Sequence, residues 1–410
     1  MKTLHSSGEL TAARRFARAS RMAFAAALAV AALPASGLYR AALVDSFDFA
    51  RVFDCETKKG SEQIIAHVLS HGGNAVWWRS NGGAIQRYPS RFETGAALNR
   101  PFNKLLPPDE REFYGWLRLD RGETNLIAHV LGYCREHGIP SGIHTAYEEN
   151  HNSIKWIGGW NSRHPQYWSR TRKGIPWPGR TSMMFPEVFE RKVKMMCELL
   201  DMEPEWLFLD MWRCCWSLVY EYVEPMCAAW REKYGCEPPE DPQDLRWVAL
   251  FEPVQTAFFH AIRREIAARG SKTKFCIGLP YMTPEEDINY KRLGLNWRQL
   301  AADGTADALA VMCVRLPKDA KGEAVWEATR AAYRHVYENR GKAEVFYHCS
   351  MYDGGQVCIP AYRKRTGLSN GECAKRFLDL AEEFGGKGVV LECVDYGNYP
   401  DDVVKELNKR

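Results

Sequence analysis

The chain has 410 residues, 46% hydrophobic and 26% charged, enough to fill one large α/β barrel or two ordinary domains. Its formal charge of +4 sits in residues 1–37, where Lys2, Arg14, Arg15, Arg18 and Arg21 face one acid, Glu9. The remainder is near neutral, so the overall charge implies no polyanion partner and no nucleic-acid surface.

In chain order, the basic segment precedes an apolar run, Met22 to Leu33, and then small residues, Pro34-Ala35-Ser36-Gly37. That layout predicts a secretory signal peptide over 1–37. The run is too short to span a bilayer, which takes roughly 20 residues, so the mature chain is expected to be exported and not membrane-bound. Arg14-Arg15 leaves the general and the twin-arginine export routes both open.

Beyond it, short apolar segments alternate with helical ones. Strands are expected at Ala42–Phe49, Asn74–Arg79, Pro140–Tyr147, Glu205–Asp210, Lys274–Pro280, Ala308–Val314, Ala343–His348 and Gly388–Val394. Helices are expected at Ser61–Ser70, Asn125–His137, Phe185–Leu200, Trp297–Asp303, Glu323–Asn339, Lys375–Phe384 and Asp401–Lys409. A long helical region over 218–269 is broken near 237–244 by prolines and aspartates. Eight apolar strands separated by helices predict a parallel sheet, and over 38–410 a single (β/α)8 TIM barrel with enlarged loops after strands two to four. A doubly wound open sheet is the alternative, though no GxGxxG follows the first strand. Residues 150–184 lack any regular period yet hold Trp156, Trp160, His164, Trp168 and Trp177, which marks them as an ordered functional loop.

Barrel active sites gather at strand C-termini. There the chain places Asp45, Arg79, His144, Glu148, Glu149, Asp210, Arg213, Tyr281, Arg315, His348, Tyr352, Asp353, Glu392 and Asp395. Asp210 ends the apolar run of EWLFLD among Trp206, Trp212 and Trp216, where desolvation raises a carboxyl pKa and Arg213 lowers it. Its other reading is a structural acid held by Arg213. Glu392 interrupts VVLECV, and a buried acid there needs a partner or a polar cavity. Its structural partners would be Arg79 or Arg315, with Asp45 its neighbour on the first strand. Aromatic side chains are abundant, with 14 Trp and 18 Tyr, and flat apolar faces beside polar anchors suit sugar rings.

Cysteine gives no framework: thirteen is odd, no CxxC occurs, and Cys276, Cys313 and Cys393 lie in apolar runs. No HxH or HExxH spacing marks a metal site. Cys349 beside His348 would point to the opposite face of its strand and cannot pair with it.

The runs SRHPQYWSRTRKG (162–174) and FPEVFERKVKMMCELLDMEPEWLFLDMWR (185–213) resemble the glycoside hydrolase-like barrels of exported bacterial proteins (glycosyl hydrolase-like 10 type). His164-Pro165, Trp168, Gly174, Pro186-Glu187-Val188, Asp210 and Arg213 fall at that group's positions. The group's Asp-Gly before the strand is replaced by Pro204-Glu205-Trp206, and Met211 or Trp212 stands where it carries Tyr. The resemblance implies the barrel and, as an activity, hydrolysis of glycosidic bonds in a poly- or oligosaccharide by two carboxyl groups.

The expectation is therefore Asp210 as nucleophile or stabilising carboxylate and Glu392 as acid/base, with Glu148 its rival. Arg213 would orient Asp210, and His144 and His348 would hydrogen-bond hydroxyls. Asp45, Arg79, Trp78, Trp160, Trp212, Tyr281, Tyr352 and Asp395 would line the cleft. No cofactor or metal is expected. A carbohydrate-binding barrel without chemistry, and a metal-dependent hydrolase built on His144 and His348, are the alternatives.

Overall fold

The computed structural model describes residues 37–45, 57–82, 85–86, 88–92, 96–98, 125–147, 156–211, 217–280, 282–283, 287–351, 358–392 and 399–410. Eight strands form its centre: β1 (Tyr39–Val44), β2 (Ala75–Arg79), β3 (Ser141–Ala146), β4 (Trp206–Asp210), β5 (Lys274–Leu279), β6 (Ala308–Val311), β7 (Glu344–His348) and β8 (Gly388–Glu392). Each pairs in parallel with its neighbours, and β1 pairs with both β2 and β8. The sheet is closed, which excludes the open doubly wound alternative.

At least one helix follows each strand, and the last helix before each next strand, with the one that closes the chain, makes the outer layer: α1 (Lys58–Ser70), α2 (Leu126–Glu136), α3 (Pro186–Leu200), α4 (Leu245–Ala268), α5 (Trp297–Ala302), α6 (Glu323–Asn339), α7 (Asn370–Glu383) and α8 (Asp401–Leu407). The α3 helix shows why these segments dock. Pro186 occupies its first turn beside Glu187, and Val188, Met195, Met196 and Leu199 recur at helical spacing on the buried face.

The strands read as two interleaved sets. Ala42, Val44, Val76, Trp78, Ile143, Leu207, Leu209, Ile277, Leu309, Val345 and Val389 face outward into one layer with the helices. The alternate residues Ala41, Leu43, Trp77, Trp206, Phe208, Cys276, Ala310, Phe346 and Val390 fill the barrel interior. Burying each of the larger side chains contributes roughly 1.5–3 kcal/mol. Inside, Trp77 lies 5.0 Å from Phe346 and 5.2 Å from Phe208, ring centre to ring centre, so the lower barrel is a solid aromatic plug.

Several elements differ from the sequence expectation. The first strand starts at Tyr39, not Ala42, because Arg40 can be buried there: its Nε donates to Gly72 O at 2.7 Å. The α7 helix starts at Asn370, five residues early, on a reciprocal cap in which Ser369 accepts from Glu372 N and Glu372 from Ser369 N. A further helix, Ile359–Thr366, was not expected. The break in 218–269 is present: Glu224–Tyr234 ends at Gly235 with φ 66°, and α4 begins at Leu245. The irregular stretch after β3 contains the short helix Gly159–Arg163 and a hairpin of Trp168–Arg170 with Pro176–Thr181.

Candidate active site

The alternation that fills the barrel also builds the site. Continuing each inward row by one step toward the C-terminal mouth brings Asp45, Arg79, His144, Asp210, His348 and Glu392 to the interior. Pairing of Arg79 with His144 across β2 and β3, and of Leu43 with Glu392 across β1 and β8, keeps neighbouring members on the same face. The same rows meet Gly278 on β5 and Met312 on β6, so the polar arc covers six strands and leaves an apolar gap over two. No residue type at Gly278 or Met312 announces a site. Only the phase of the strand alternation could have found them.

Three side-chain pairs organise the arc. Arg79 Nη1 donates to Asp45 Oδ2 at 2.6 Å. His144 Nε2 lies 3.2 Å from Asp210 Oδ2, and His348 Nε2 lies 3.2 Å from Glu392 Oε2. With the proton on Nε2, each imidazole donates to its carboxylate, which fixes the ring and the acid together. Asp210 and His144 are almost sealed, with side chains 2% and 4% exposed, whereas Asp45 and Glu392 retain 14% and 15%. The mouth is thus most open over the β1–β8 seam. Since β4 and β8 stand four strands apart in either direction, the Asp210 and Glu392 pairs face each other across the barrel.

Backbone around the arc is pinned. Asn81 donates to Ala146 O at 3.0 Å and accepts from Ala146 N at 2.8 Å, fixing the end of β3. Tyr399 OH donates to Glu392 O at 3.1 Å and Ser350 Oγ does so at 3.0 Å, fixing the end of β8. Phe208, one inward step below Asp210, packs 5.2 Å from the His144 ring.

Of the residues expected in the cleft, Asp210, Glu392, His144, His348, Asp45 and Arg79 are brought together. Arg79 reaches Asp45, and both histidines turn Nε2 to a carboxylate. Trp78 is elsewhere: it is 1% exposed in the outer layer between sheet and helices, because an odd step along β2 reverses its direction. Trp160 lies in the insertion between β3 and α3, packed 4.2 Å from His164 with the Arg191 guanidinium 4.5 Å from its ring. Glu148, Trp212, Arg213, Tyr281, Tyr352 and Asp395 fall outside the described residues.

No local sequence pattern marks a second buried cluster at the rim. Arg180 Nη2 lies 2.8 Å from Glu221 Oε1, and Ser182 Oγ donates to Glu221 Oε2 at 2.5 Å. It ties the β3–α3 insertion to the loop after β4, reinforced by Tyr222 N donating to Arg170 O at 3.1 Å.

As for metals, His144 and His348 stand on opposite strands with different carboxylates. Among the described residues no three His, Cys, Asp or Glu side chains form a group that could hold a metal ion. Nor, among them, is any helix long and apolar enough to cross a membrane.

The fold and the ring of polar residues at its mouth define a (β/α)8 barrel of the kind shared by many enzymes. No family model and no curated protein matches the chain. Solved structures of similar shape include two glycosidases. Alpha-L-fucosidase isoenzyme 2 from Paenibacillus thiaminolyticus superposes with a TM-score of 0.55 at 12% identity, covering 91% of this chain and 49% of that one. The beta-galactosidase from the psychrophilic Marinomonas ef1 does so with a TM-score of 0.57 at 9% identity, covering 91% and 58%. The chain therefore spans about half to three fifths of those proteins' lengths, and at these identities the likeness is one of fold.

Proposed function

We propose that the protein is an exported glycoside hydrolase that cleaves glycosidic bonds in a poly- or oligosaccharide bound at the C-terminal mouth of the barrel. The observation that carries the reading is the pair of imidazole-bound carboxylates, Asp210 and Glu392, facing each other across the inner ring. Glycosidic cleavage needs two carboxyl groups flanking the bond, one to protonate the leaving oxygen and one to stabilise or attack the anomeric carbon.

Asp210 is the deeper acid and serves as nucleophile or stabilising carboxylate, with His144 holding its orientation. Glu392, nearer solvent, exchanges its proton through the mouth and serves as acid/base, oriented by His348. The Arg79–Asp45 pair supplies fixed charges for substrate hydroxyls. Glycosidases of similar shape support the substrate class, and the basic-then-apolar leader supports export.

The test is hydrolysis of a polysaccharide panel by wild type, Asp210→Asn and Glu392→Gln, with product sugars measured. Each variant should lose at least about 1,000-fold in kcat if its carboxyl takes part in the chemical step, since general acid–base catalysis alone supplies about 100- to 10,000-fold. A wild type that cleaves while either variant keeps full rate removes that residue from the mechanism.

A further inference from the structure

Overall neutrality hides a local asymmetry. From Asn150 to Pro186 the chain carries Lys155, Arg163, Arg170, Arg172, Lys173 and Arg180 and not one acid. This stretch lies within the β3–α3 insertion, which begins with two acids, Glu148 and Glu149, and it also supplies Trp160, Tyr167, Trp168 and Trp177. We propose that this insertion is a binding surface for an anionic glycan, one bearing carboxylate or sulfate-ester groups, which runs from there into the barrel mouth. The proposal rests on the carbohydrate reading above and specifies its substrate class.

The structure sorts these cations. Arg180 is neutralised inside by Glu221. Arg163, Arg172 and Lys173 are exposed and Arg170 is half-buried. Arg172 lies 3.7 Å from Glu240, a pair open to solvent, and Lys173 makes no ion pair among the described residues. Arg172, Lys173 and Gly174 form the hairpin turn, which Gly174 closes at φ 76° and to which Arg170 Nη1 donates at Gly174 O, 3.3 Å away. The positive charge is therefore held on a defined turn.

Beside that turn lies an aromatic face. Trp177 and Tyr220 pack 4.8 Å apart at 31°, both half-buried. Ile175, two residues before Trp177, and Val219, next to Tyr220, are 59% and 37% exposed, and only Leu245 joins them as an exposed large hydrophobic among the described residues. The Trp177–Tyr220 contact brings the hairpin and the loop after β4 together beside these two side chains. The buried Arg180–Glu221–Ser182 cluster locks the two loops that carry it.

Its chemistry fits one occupant. The C–H face of a sugar ring packs on Trp177 and Tyr220, while guanidinium and ammonium groups take a planar carboxylate or a sulfate. Continuity favours a glycan over an unrelated partner: Tyr220 lies ten residues beyond Asp210 on the loop leaving β4.

The test measures binding to the Asp210→Asn protein, which does not turn over its ligand under the mechanism above. The probes are polygalacturonate, alginate and hyaluronan as carboxylate polymers, κ-carrageenan and chondroitin sulfate as sulfated ones, galactomannan as a neutral one, and single-stranded DNA. The expected result is salt-sensitive binding of at least one anionic glycan, with galactomannan and DNA much weaker. Trp177→Ala in this background should weaken that binding about tenfold or more, and Lys173→Glu about fivefold, with melting temperatures unchanged. Binding to carboxylate polymers alone or to sulfated ones alone supports the proposal and assigns the anion. Equal affinity for galactomannan, equal affinity for DNA, no glycan binding, or variants that bind like the parent each overturn it. Wild type that cleaves a neutral glycan without binding an anionic one refutes this inference and leaves the hydrolase. Anionic-glycan binding with no cleavage of any glycan by the wild type does the reverse.

Discussion

Glu221→Gln tests whether the rim is held by charge. Glu221 and Arg180 are 1% and 7% exposed and 2.8 Å apart, with Ser182 Oγ 2.5 Å from the second carboxylate oxygen. Glutamine keeps the volume but strips the counter-charge from a guanidinium that water cannot reach. Removing one member of such a pair costs about 3–5 kcal/mol. Unfolding entropy of about 2.1 cal/mol/K per residue over roughly 370 residues gives about 0.8 kcal/mol/K, so the melting temperature should fall by about 4–6 °C. The comparison is Arg172→Ala, which removes a solvent-open pair with Glu240 and should cost under about 0.5 kcal/mol. Replacing both buried partners, as Arg180→Met with Glu221→Leu, should recover most of the loss, since the penalty is that of one orphaned charge. Thermal unfolding followed by circular dichroism reads all four proteins. A glutamine variant melting within about 1 °C of wild type would refute the reasoning and make the pair incidental to the rim.

Other expectations concern the barrel and its helices. A Cβ at Gly388 would stand 2.1 Å from Tyr39 O on the β1–β8 seam, where backbone cannot yield, whereas at Gly278 it would meet the Phe208 ring at 3.1 Å. Gly388→Ala should therefore cost at least about 3 kcal/mol and Gly278→Ala under about 1.5 in denaturant unfolding; equal costs would contradict the seam geometry. His335 on α6 has its pKa held below the usual 6.5 by burial and then by the Arg298 guanidinium, whose Nη2 is 2.9 Å from Nε2. The unfolded chain then binds a proton that the fold resists, so stability falls as pH drops below about 6.5 and is unaffected above it. His335→Gln should flatten that decline in melts taken from about pH 7 to pH 5, and a parallel decline in the variant would exclude His335 as its source.

The barrel was legible because burial on both faces writes its strands as apolar runs, and helical periodicity separates them. Site residues were legible where a charge breaks such a run, as at Asp210 and Glu392. Their partners were not, because register between strands far apart in sequence decides which side chains meet. Arg79 thus serves Asp45, and His348 serves Glu392 from a strand 44 residues earlier. Trp78 shows a different failure: its residue type suits a cleft, but the phase of its strand sends it outward. The Ser369–Glu372 cap was present as a local pattern, and reading it would have placed the start of α7. The Arg180–Glu221 contact has no such pattern, since a hairpin strand and a residue beyond the next barrel strand must converge before it exists.

The aromatic plug of Trp77, Trp206, Phe208 and Phe346 turns the barrel into a blind-ended well. Among the described residues these packed rings close the base, so traffic to His144 and Asp210 is expected through the mouth. Whatever occupies the mouth then acts as a stopper on exchange. The rate at which the imidazole protons of His144 and His348 exchange with solvent becomes a gauge of occupancy, readable without any turnover.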